Sequence, residues 1–237
     1  MCCSGCERID APLVGRYRAT IDVAGKELPF LLDVARENDR YVLILPNAGE
    51  RLRITKVRVE GPKLEARLPG NSTLLVAAGR KKLSGTLTLI DTSGSSHALP
   101  LRATLGDTHL FYDESLSDNA DVEGRWEVAL RTDGDTTAPA LALLEQEHDR
   151  IVGTLTFASG EQHTLHGQIH DEELQLASLS WSDARVYKLA LTANGALEGE
   201  AWLLSGERQR VHAKRNSDAT RDNAQVRMNR NSARSTT

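Results

Sequence analysis

The chain has 237 residues, a formal net charge of −4 and a hydrophobic fraction of 40%. This length allows one large domain or two small ones, with enough apolar material for a core. The mild negative charge argues against a nucleic-acid-binding face, which would need a stripe of basic side chains. The longest apolar run of the body spans residues 138–144, whereas a transmembrane helix needs about 20 residues.

All three cysteines lie within the first six residues. Ser4-Gly5-Cys6 resembles the end of a bacterial lipobox, in which small residues precede a cysteine that is cleaved and acylated. Cys3 stands where such a motif usually has leucine, and the basic and apolar parts of a signal peptide are missing, which a true start upstream of Met1 would explain. On this interpretation residues 1–13 include the remnant of a lipoprotein signal, and a lipid on Cys6 attaches the protein to a membrane.

Other interpretations of these cysteines remain open. Cys3-x-x-Cys6 has the spacing of a redox pair or of half a zinc site, although no βαβ context and no second ligand pair accompany it. An unstructured tail of a cytoplasmic protein with reduced thiols fits the same residues.

The chain aligns with itself as two copies of one unit. Gly15-Arg16-Tyr17 matches Gly124-Arg125-Trp126 at an offset of 109, and Leu83-Ser84-Gly85 matches Leu197-Glu198-Gly199 at an offset of 114. The slow drift of the offset indicates short insertions in loops of the second copy.

The duplication predicts five segments. They are an N-terminal segment at 1–13, a first β domain at 14–112, a polar and acidic linker at 113–123, a second β domain at 124–215 and a tail at 216–237. The tail is rich in Asn, Ser, Thr and Arg and has almost no apolar residues, so we predict that it is disordered.

Each copy consists of short stretches in which apolar and polar residues alternate. Tyr17, Ala19 and Ile21 share one face of the first stretch, which predicts a half-buried antiparallel strand with its aromatic side chain turned inward. In residues 51–59 the apolar parity switches between Ile54 and Val57, which predicts a bulge. The further predicted strands lie at 28–34, 41–45, 51–59, 64–68, 74–77, 83–90 and 99–105 in the first copy, and at 124–132, 140–144, 150–157, 163–169, 174–177, 186–192, 197–204 and 210–214 in the second.

Turn signals separate these stretches, and the strongest of them is the hairpin dipeptide Asn194-Gly195. Turns recur every 8–12 residues or so, and no amphipathic helix is evident. We therefore predict an all-β chain of two tandem, internally duplicated antiparallel β-barrel or sandwich units of lipocalin-like type. Whether the two copies form separate barrels or one continuous sheet stays open, as does the oligomeric state.

Residues with metal-binding or catalytic chemistry are scattered. His163, His166 and His170 fall within eight residues, but a strand would place His163 on one face and the other two on the opposite face. Glu145 and Glu147 share a strand face, and paired acids matter only where a cleft shifts their pKa values. Asp133-Gly134-Asp135 lacks the further oxygen ligands of a calcium loop and is predicted to be a hairpin turn. The sequence predicts no catalytic residues, no cofactor and no metal site.

The three tryptophans differ in context. Trp126 and Trp202 continue apolar strand faces and are predicted to pack in the core. Trp181 lies among Ser and Asp near a turn, so it is predicted to be the exposed aromatic residue available for binding.

The second copy resembles the region that precedes the thioredoxin domain in bacterial envelope thiol–disulfide oxidoreductases of the TlpA/ResA-like group. The matching residues are Gly124-x-Trp126, Glu145-Gln146, Val152-Gly153-Thr154, Gly160, Leu165-His166-Gly167, Leu174-x-Leu176, Asn194-Gly195-x-Leu197-x-Gly199 and Ala213-Lys214-Arg215-Asn216-x-Asp218-Ala219. The thioredoxin domain and its catalytic CxxC do not follow, so the redox activity does not transfer. The resemblance implies an envelope location and a lipoprotein N-terminus.

Three functions are compatible with these observations. The first is a non-catalytic cell-envelope β module that binds a protein or an envelope component. The second is a lipocalin-like carrier of a small apolar ligand. The third is an enzyme with a site on its loops, which would need a cleft that gathers at least two of His163, His166, His170, Glu145 and Asp183. A cytoplasmic location is the alternative to the envelope.

Overall fold

The structure, a computed structural model, describes residues 11–47, 50–114, 119–134 and 136–216. These ranges contain antiparallel strands, one 3₁₀ turn at Pro69–Asn71 and no α-helix. The all-β class predicted from the alternation of apolar and polar residues is confirmed. No helix within the described ranges is long and apolar enough to span a membrane.

The first copy forms nine strands in one sheet. They are β1 (Gly15–Val23), β2 (Lys26–Glu37), β3 (Arg40–Asn47), β4 (Glu50–Ile54), β5 (Val57–Glu60), β6 (Lys63–Arg67), β7 (Thr73–Gly79), β8 (Lys82–Ile90) and β9 (Ser96–Leu105). The order across the sheet is β4-β3-β2-β1-β9-β8-β7-β6-β5, so the first and last strands of the copy pair with each other.

The second copy forms a closed barrel of eight strands. They are β10 (Gly124–Arg131), β11 (Thr137–Glu147), β12 (Arg150–Phe157), β13 (Gln162–His170), β14 (Glu173–Leu179), β15 (Ala184–Leu191), β16 (Ala196–Leu203) and β17 (Arg208–Arg215). Each strand pairs with the next in the sequence, and β17 pairs with β10. Closure removes the sheet edges that would otherwise expose unpaired backbone groups.

By contacts, the chain divides into two compact units. One holds the described residues up to Asp22 together with Pro29–His109, and the other holds Val23–Leu28 and the described residues from Leu110 onward. Inside the barrel, apolar side chains from every strand form one core, and Trp126, Leu130 and Leu174 within it are fully buried. Burial of this apolar surface is the main favourable contribution to folding.

The two copies begin in the same way. The hydroxyl of Tyr17 donates a hydrogen bond of 2.8 Å to the carbonyl oxygen of Leu13, and Nε1 of Trp126 donates one of 3.0 Å to the carbonyl oxygen of Val122. In each copy the acceptor lies four residues before the aromatic residue. Both aromatic side chains are buried, as the alternation predicted, and each holds the segment that precedes its first strand.

The segment before the barrel packs against one end of it. The side-chain oxygen Oε1 of Gln168 accepts hydrogen bonds from the backbone N–H groups of Leu110, Phe111 and Tyr112, at 3.0, 2.7 and 3.0 Å. The amide of Gln146 bonds the N–H of Val122 and the carbonyl of Ala120. This end, where β10 starts and β17 stops, is called the closed end below. Residues 110–112 therefore group with the second unit, whereas the sequence placed them in the first domain.

Glycines allow adjacent strands to approach closely. A Cβ atom on Gly85 of β8 would lie 2.0 Å from the carbonyl oxygen of Leu75, and one on Gly199 of β16 would lie 2.0 Å from that of Lys188. These two glycines occupy equivalent positions in the repeat, so a side chain is excluded at the same place in both copies.

The sequence predicts one bulged strand at residues 51–59, but this is wrong: these residues form two strands, β4 and β5, at opposite edges of the sheet. Leu43 pairs with Ile54 as Gly153 pairs with Leu165, an offset of 165 − 54 = 111. Val59 pairs with Leu64 as Ile169 pairs with Leu174, an offset of 169 − 59 = 110. The first copy thus has one extra residue between Ile54 and Val57, which splits into β4 and β5 what is the single strand β13 in the barrel.

Candidate functional site

The end of the barrel opposite the closed end carries a group of polar side chains. In an antiparallel barrel every second turn falls at the same end, so the turns after β10, β12, β14 and β16 meet there. We call this end the mouth and define it by Glu161, His163, Asp183, Arg185, Tyr187 and Gln209, together with Phe157 and Ser178.

His163 lies between two carboxylates. Its side chain points into the barrel, on the strand face of Leu165, and is only 7% exposed. Its Nε2 lies 2.8 Å from Oε1 of Glu161, and its Nδ1 lies 3.7 Å from Oδ2 of Asp183. The ring also contacts Phe157 edge-on, with centroids 5.2 Å apart. Both ring nitrogens therefore face acceptors, and the imidazole is fixed in orientation.

Arg185 is anchored beside this histidine. Its Nε lies 2.5 Å from Oδ2 of Asp183, and its guanidinium lies 5.3 Å from the centre of the Phe157 ring. Burial, the largest single influence, lowers the pKa of Arg185, but the charge of Asp183 together with the interactions with Tyr187 and the hydrogen bond to Asp183 outweigh it, so the pKa is raised. The arginine stays charged, and Asp183 and Phe157 hold it in place.

Tyr187 and Gln209 each bury a polar atom with no hydrogen-bond partner among the described residues. Tyr187 is 3% exposed and Gln209 is 9% exposed. The unpaired atoms are the Tyr187 hydroxyl and Oε1 of Gln209, while Nε2 of Gln209 donates to Glu207 at 3.0 Å. Burial raises the pKa of Tyr187 to about 12, although Arg185 opposes the rise both through its charge and by interacting directly with the hydroxyl. The tyrosine is therefore a neutral hydroxyl at physiological pH.

The pairing register places these two groups around one small residue. Tyr187 is the partner of Ala201, and Ala201 is the partner of Gln209. Neighbouring strands lie about 4.8 Å apart, so the Cα atoms of Tyr187 and Gln209 are about 10 Å apart with a methyl side chain between them. Both side chains lie on inward-facing strand positions, so their polar atoms flank the same region of the mouth.

The first copy lacks this polar set. The pairing registers of the two copies match His163 with Leu52, Ser178 with Leu68, Arg185 with Ser72, Tyr187 with Leu74 and Gln209 with Leu99. Four polar residues of the barrel thus replace leucine, and Ser72 accepts a hydrogen bond from the N–H of Ile90 within its own sheet. The β unit can form without the polar residues of the mouth, so folding does not require them.

The structure separates the other predicted candidates. His166 lies on the strand face opposite His163, as predicted, and His170 stacks on Tyr112 near the closed end with ring centroids 4.8 Å apart. Glu145 and Glu147 are exposed on the outside of β11. Of the five residues considered for a catalytic cleft, the mouth gathers His163 and Asp183. No three His, Cys, Asp or Glu side chains within the described ranges are arranged to hold a metal ion.

Trp202 and Trp181 are both half-buried. Trp202 was predicted to pack in the core, but this is wrong: Ala201 and Leu203 face the core, so Trp202 points outward and is half-buried. The prediction for Trp202 failed because residues 201–204 are apolar on both strand faces. Trp181 is also half-buried, in the turn between β14 and β15 that borders the mouth. Cys6, Asp135 and the tail beyond residue 216 lie outside the described residues.

Sequence reasoning missed Arg185, Tyr187 and Gln209 as site residues. Each lies in a strand whose alternation of apolar and polar residues shows nothing unusual. For Tyr187 and Gln209 the repeat itself was the signal, because each is a polar residue facing the core at a position where the first copy has leucine; Arg185 corresponds to Ser72 and carried no such signal.

No protein-family model and no curated protein matches this chain. Two solved structures resemble it at 12% sequence identity. A protein of unknown function of the DUF3598 family from Nostoc punctiforme aligns over 86% of this chain and 96% of its own, with a TM-score of 0.29. A Bacteroides fragilis protein provisionally assigned to the outer membrane aligns over 86% of this chain and 97% of its own, with a TM-score of 0.27. At these scores neither likeness carries an argument.

Proposed function

We propose that the second unit is a non-catalytic binding module that takes a small polar ligand, such as a component of the cell envelope, in the mouth of its barrel. The observation that carries this proposal is the buried Oε1 of Gln209, which has no hydrogen-bond partner among the described residues. Beside it, the buried Tyr187 hydroxyl interacts with the Arg185 guanidinium but has no described partner at ordinary hydrogen-bond distance. Leaving a buried polar group unpaired costs about 1–3 kcal/mol. The first copy has Leu74 and Leu99 at these positions and does not incur this free-energy cost. We therefore attribute the polar residues of the barrel to a function other than folding.

The packing of the barrel interior favours a ligand at the mouth over one in the interior. Below the mouth, large apolar side chains such as Trp126, Leu144 and Ile151 form the core of the barrel. A carrier of an apolar ligand would need that volume for its cargo. The unpaired polar atoms also favour a ligand that forms hydrogen bonds over a purely apolar one.

Catalysis by His163 is the less favoured function. A general base needs a nitrogen directed at substrate, whereas one nitrogen of His163 is bonded to Glu161 and the other faces Asp183. We interpret the His163–Asp183–Arg185 group as the rigid wall of the mouth.

A high-resolution crystal structure of the purified protein, combined with native mass spectrometry, tests the binding proposal. We expect density larger than a water molecule between Tyr187 and Gln209, and a mass adduct that is lost when Tyr187→Phe and Gln209→Leu are combined. A crystal structure in which the Tyr187 hydroxyl and Gln209 Oε1 are both satisfied by protein atoms would contradict it.

We further propose an envelope location with a lipid on Cys6. The lipobox-like Ser4-Gly5-Cys6 and the resemblance of the second copy to envelope oxidoreductases support this. Cells that express the gene with its native upstream sequence would be labelled with an alkyne fatty acid. We expect label on the wild-type protein and none on Cys6→Ser; equal labelling of both would contradict lipidation at this residue.

A further inference from the structure

The strand pairing of the barrel stops short of the mouth at one boundary. Seven of the eight boundaries are paired as far as the mouth end of one of their two strands. Between β13 and β14 the pairing of the described residues ends at His166–Ala177, whereas β13 begins at Gln162 and β14 ends at Leu179. We call the stretch between residues 162–165 and the mouth end of β14 the seam.

Side chains meet across the seam beyond the end of the strand pairing. Nδ1 of His163 lies 3.7 Å from Oδ2 of Asp183, which is longer than a hydrogen bond, and the guanidinium of Arg185 lies 5.3 Å from the centre of the Phe157 ring. The shorter contacts of these residues stay on one side, since His163 bonds Glu161 at 2.8 Å and Arg185 bonds Asp183 at 2.5 Å. Separation of the two sides therefore breaks no strand-pairing hydrogen bond.

The two sides of the seam differ in how deeply they are packed. On one side, the turn between β12 and β13 at residues 158–162 is exposed to solvent. On the other side, Leu179 and Ala184 are buried, although both lie on the outer strand face. We therefore expect the exposed turn to be the side that moves. Its outward movement uncovers Ser178, which is 4% exposed in this conformation.

The first copy has apolar side chains at the same place. Leu52 and Leu68 occupy the positions of His163 and Ser178, and Leu68 is buried. Apolar side chains stabilise a closed seam through burial, whereas ionic contacts that are partly exposed contribute little. The polar seam of the second copy therefore opens at a lower free-energy cost than an apolar seam would.

The polar atoms of the proposed site are not exposed in this conformation. The Tyr187 hydroxyl and Oε1 of Gln209 are buried, and the Arg185 guanidinium interacts with the hydroxyl. A ligand reaches these atoms only after part of the mouth has moved. The seam is the boundary where such movement leaves the strand pairing intact.

We infer that the seam between β13 and β14 is the entrance through which the second unit admits its ligand, and that it opens by outward movement of the β12–β13 turn. This inference rests on the proposed binding function and describes access to the same site. Phe157 and Arg185, which contact each other across the seam, hold the entrance shut when no ligand passes.

Thiol labelling with dithionitrobenzoate tests this entrance, because all three cysteines lie in the first six residues and can be replaced by serine. Ser178→Cys then places a single thiol at the seam. The matched control is Ala142→Cys, since Ala142 is 5% exposed, faces the core and is paired with Trp126 and Leu155 on both sides. We expect the thiol at position 178 to react at least about tenfold faster than the thiol at position 142 under native conditions, because local opening is cheaper than global unfolding. Each rate is divided by the rate of the same variant in urea.

A second substitution connects the opening to the side chains that cross the seam. Phe157→Ala removes the ring that contacts Arg185 and should raise the labelling rate at position 178 about tenfold, with a much smaller change at position 142. Thr156→Ala is the control, because Thr156 lies on the outer face of the same strand and bonds the exposed Gln162. It should leave both rates unchanged. Urea unfolding monitored by tryptophan fluorescence verifies that each variant is folded.

The outcomes separate the entrance from the proposed function when labelling is compared before and after refolding from urea, which strips a bound molecule. Selective labelling at position 178 that is slower in protein carrying a mass adduct supports both. Equal labelling rates at positions 178 and 142 in protein that carries an adduct would overturn the entrance and leave a binding module. Selective labelling at position 178 in protein that never carries an adduct would overturn the role of the seam in ligand entry together with the proposed function.

Discussion

The two copies of the β unit agree at one end and differ at the other. At the start of the first strand, Tyr17 and Trp126 are both buried and both donate to the carbonyl oxygen four residues earlier. At the mouth, the barrel has His163, Arg185, Tyr187 and Gln209 where the first copy has Leu52, Ser72, Leu74 and Leu99. Residues that both copies retain are those the fold requires. The proposed binding function rests on residues found only in the second copy.

Closure of the sheet is the second difference. In the barrel β13 runs unbroken past Gly167, where a Cβ atom would lie 1.9 Å from the carbonyl oxygen of Gln175. The first copy has Val57 at this position and an extra residue before it, and its strand is split. A missing side chain thus allows one continuous strand, whereas the extra residue before Val57 lies at the break between β4 and β5.

Removal of the buried indole should have the largest effect on stability. Trp126→Ala should lower the free energy of unfolding of the second unit by about 3–5 kcal/mol, as expected for a large aromatic side chain truncated in a core. All three tryptophans lie in the second unit, so urea unfolding followed by fluorescence of Trp181 and Trp202 measures this unit alone. Trp202→Ala, at a half-buried outer position, should cost less. An unchanged urea midpoint for Trp126→Ala would show that this residue is not core.

The equivalent glycines should respond alike. Gly85→Ala and Gly199→Ala should each destabilise their own unit by about 1–3 kcal/mol, because the new methyl group collides with a backbone oxygen that cannot rotate away. Hydrogen exchange measured by mass spectrometry would locate the loss of protection in β7–β8 for the first variant and in β15–β16 for the second. Gly134→Ala, which meets only Thr132 Oγ1 at 3.9 Å, is the control. Opposite effects of the two substitutions on stability would contradict the structural equivalence of the copies.

Two Tyr→Phe substitutions distinguish a satisfied hydroxyl from an unsatisfied one. Tyr17→Phe removes the hydrogen bond to Leu13 and should destabilise the first unit by about 0.5–1.5 kcal/mol. Tyr187→Phe removes a hydroxyl that has no partner among the described residues, so stability of the ligand-free second unit should stay the same or rise. Urea denaturation of both variants, followed by hydrogen exchange and by fluorescence, checks this. A loss of about 1 kcal/mol or more in Tyr187→Phe would mean that its hydroxyl is bonded.

The smallest effect is expected from the loop of the β8–β9 hairpin in the first copy. Asp91 accepts hydrogen bonds from the Ser93 hydroxyl, from His97 and from the N–H groups of Ser93 and Ser95. These bonds, with that of Ser93 the largest contribution, hold the pKa of Asp91 well below its ordinary value of 3.8. Since the folded pKa is depressed, the stabilisation is present above the unfolded pKa and is lost as the pH falls through the folded pKa.

Asp91→Asn tests this contribution. Wild type should be the more stable protein at neutral pH, and the difference between the two should shrink as the pH is lowered from about 5 to about 2. The measurement is the urea midpoint at each pH, with hydrogen exchange to assign the change to the β8–β9 hairpin. A difference that does not vary with pH would show that the Asp91 charge does not stabilise the loop.

The sequence by itself determined most of the strands, the turns, the inward aromatic residues and the irregularity between Ile54 and Val57, although not that the chain there breaks into two strands. All of these follow from local signals, because side chains alternate along a strand and turn residues set the local backbone. Where the pattern was ambiguous, as at residues 201–204, the assignment of Trp202 failed. The duplication, read from weak matches in one order, predicted the tandem architecture.

Only the tertiary structure decided which polar residues meet. Glu161, His163, Asp183, Arg185 and Gln209 lie on three strands and in two turns, and barrel closure places them at one end. The same is true of the segment around Leu110, whose backbone is bound by Gln168. Such contacts depend on the register between strands and on how the sheet closes, and no local pattern encodes these long-range properties. The fold could therefore be predicted from the sequence, whereas the grouping of polar residues at the mouth followed only from the pairing of the strands.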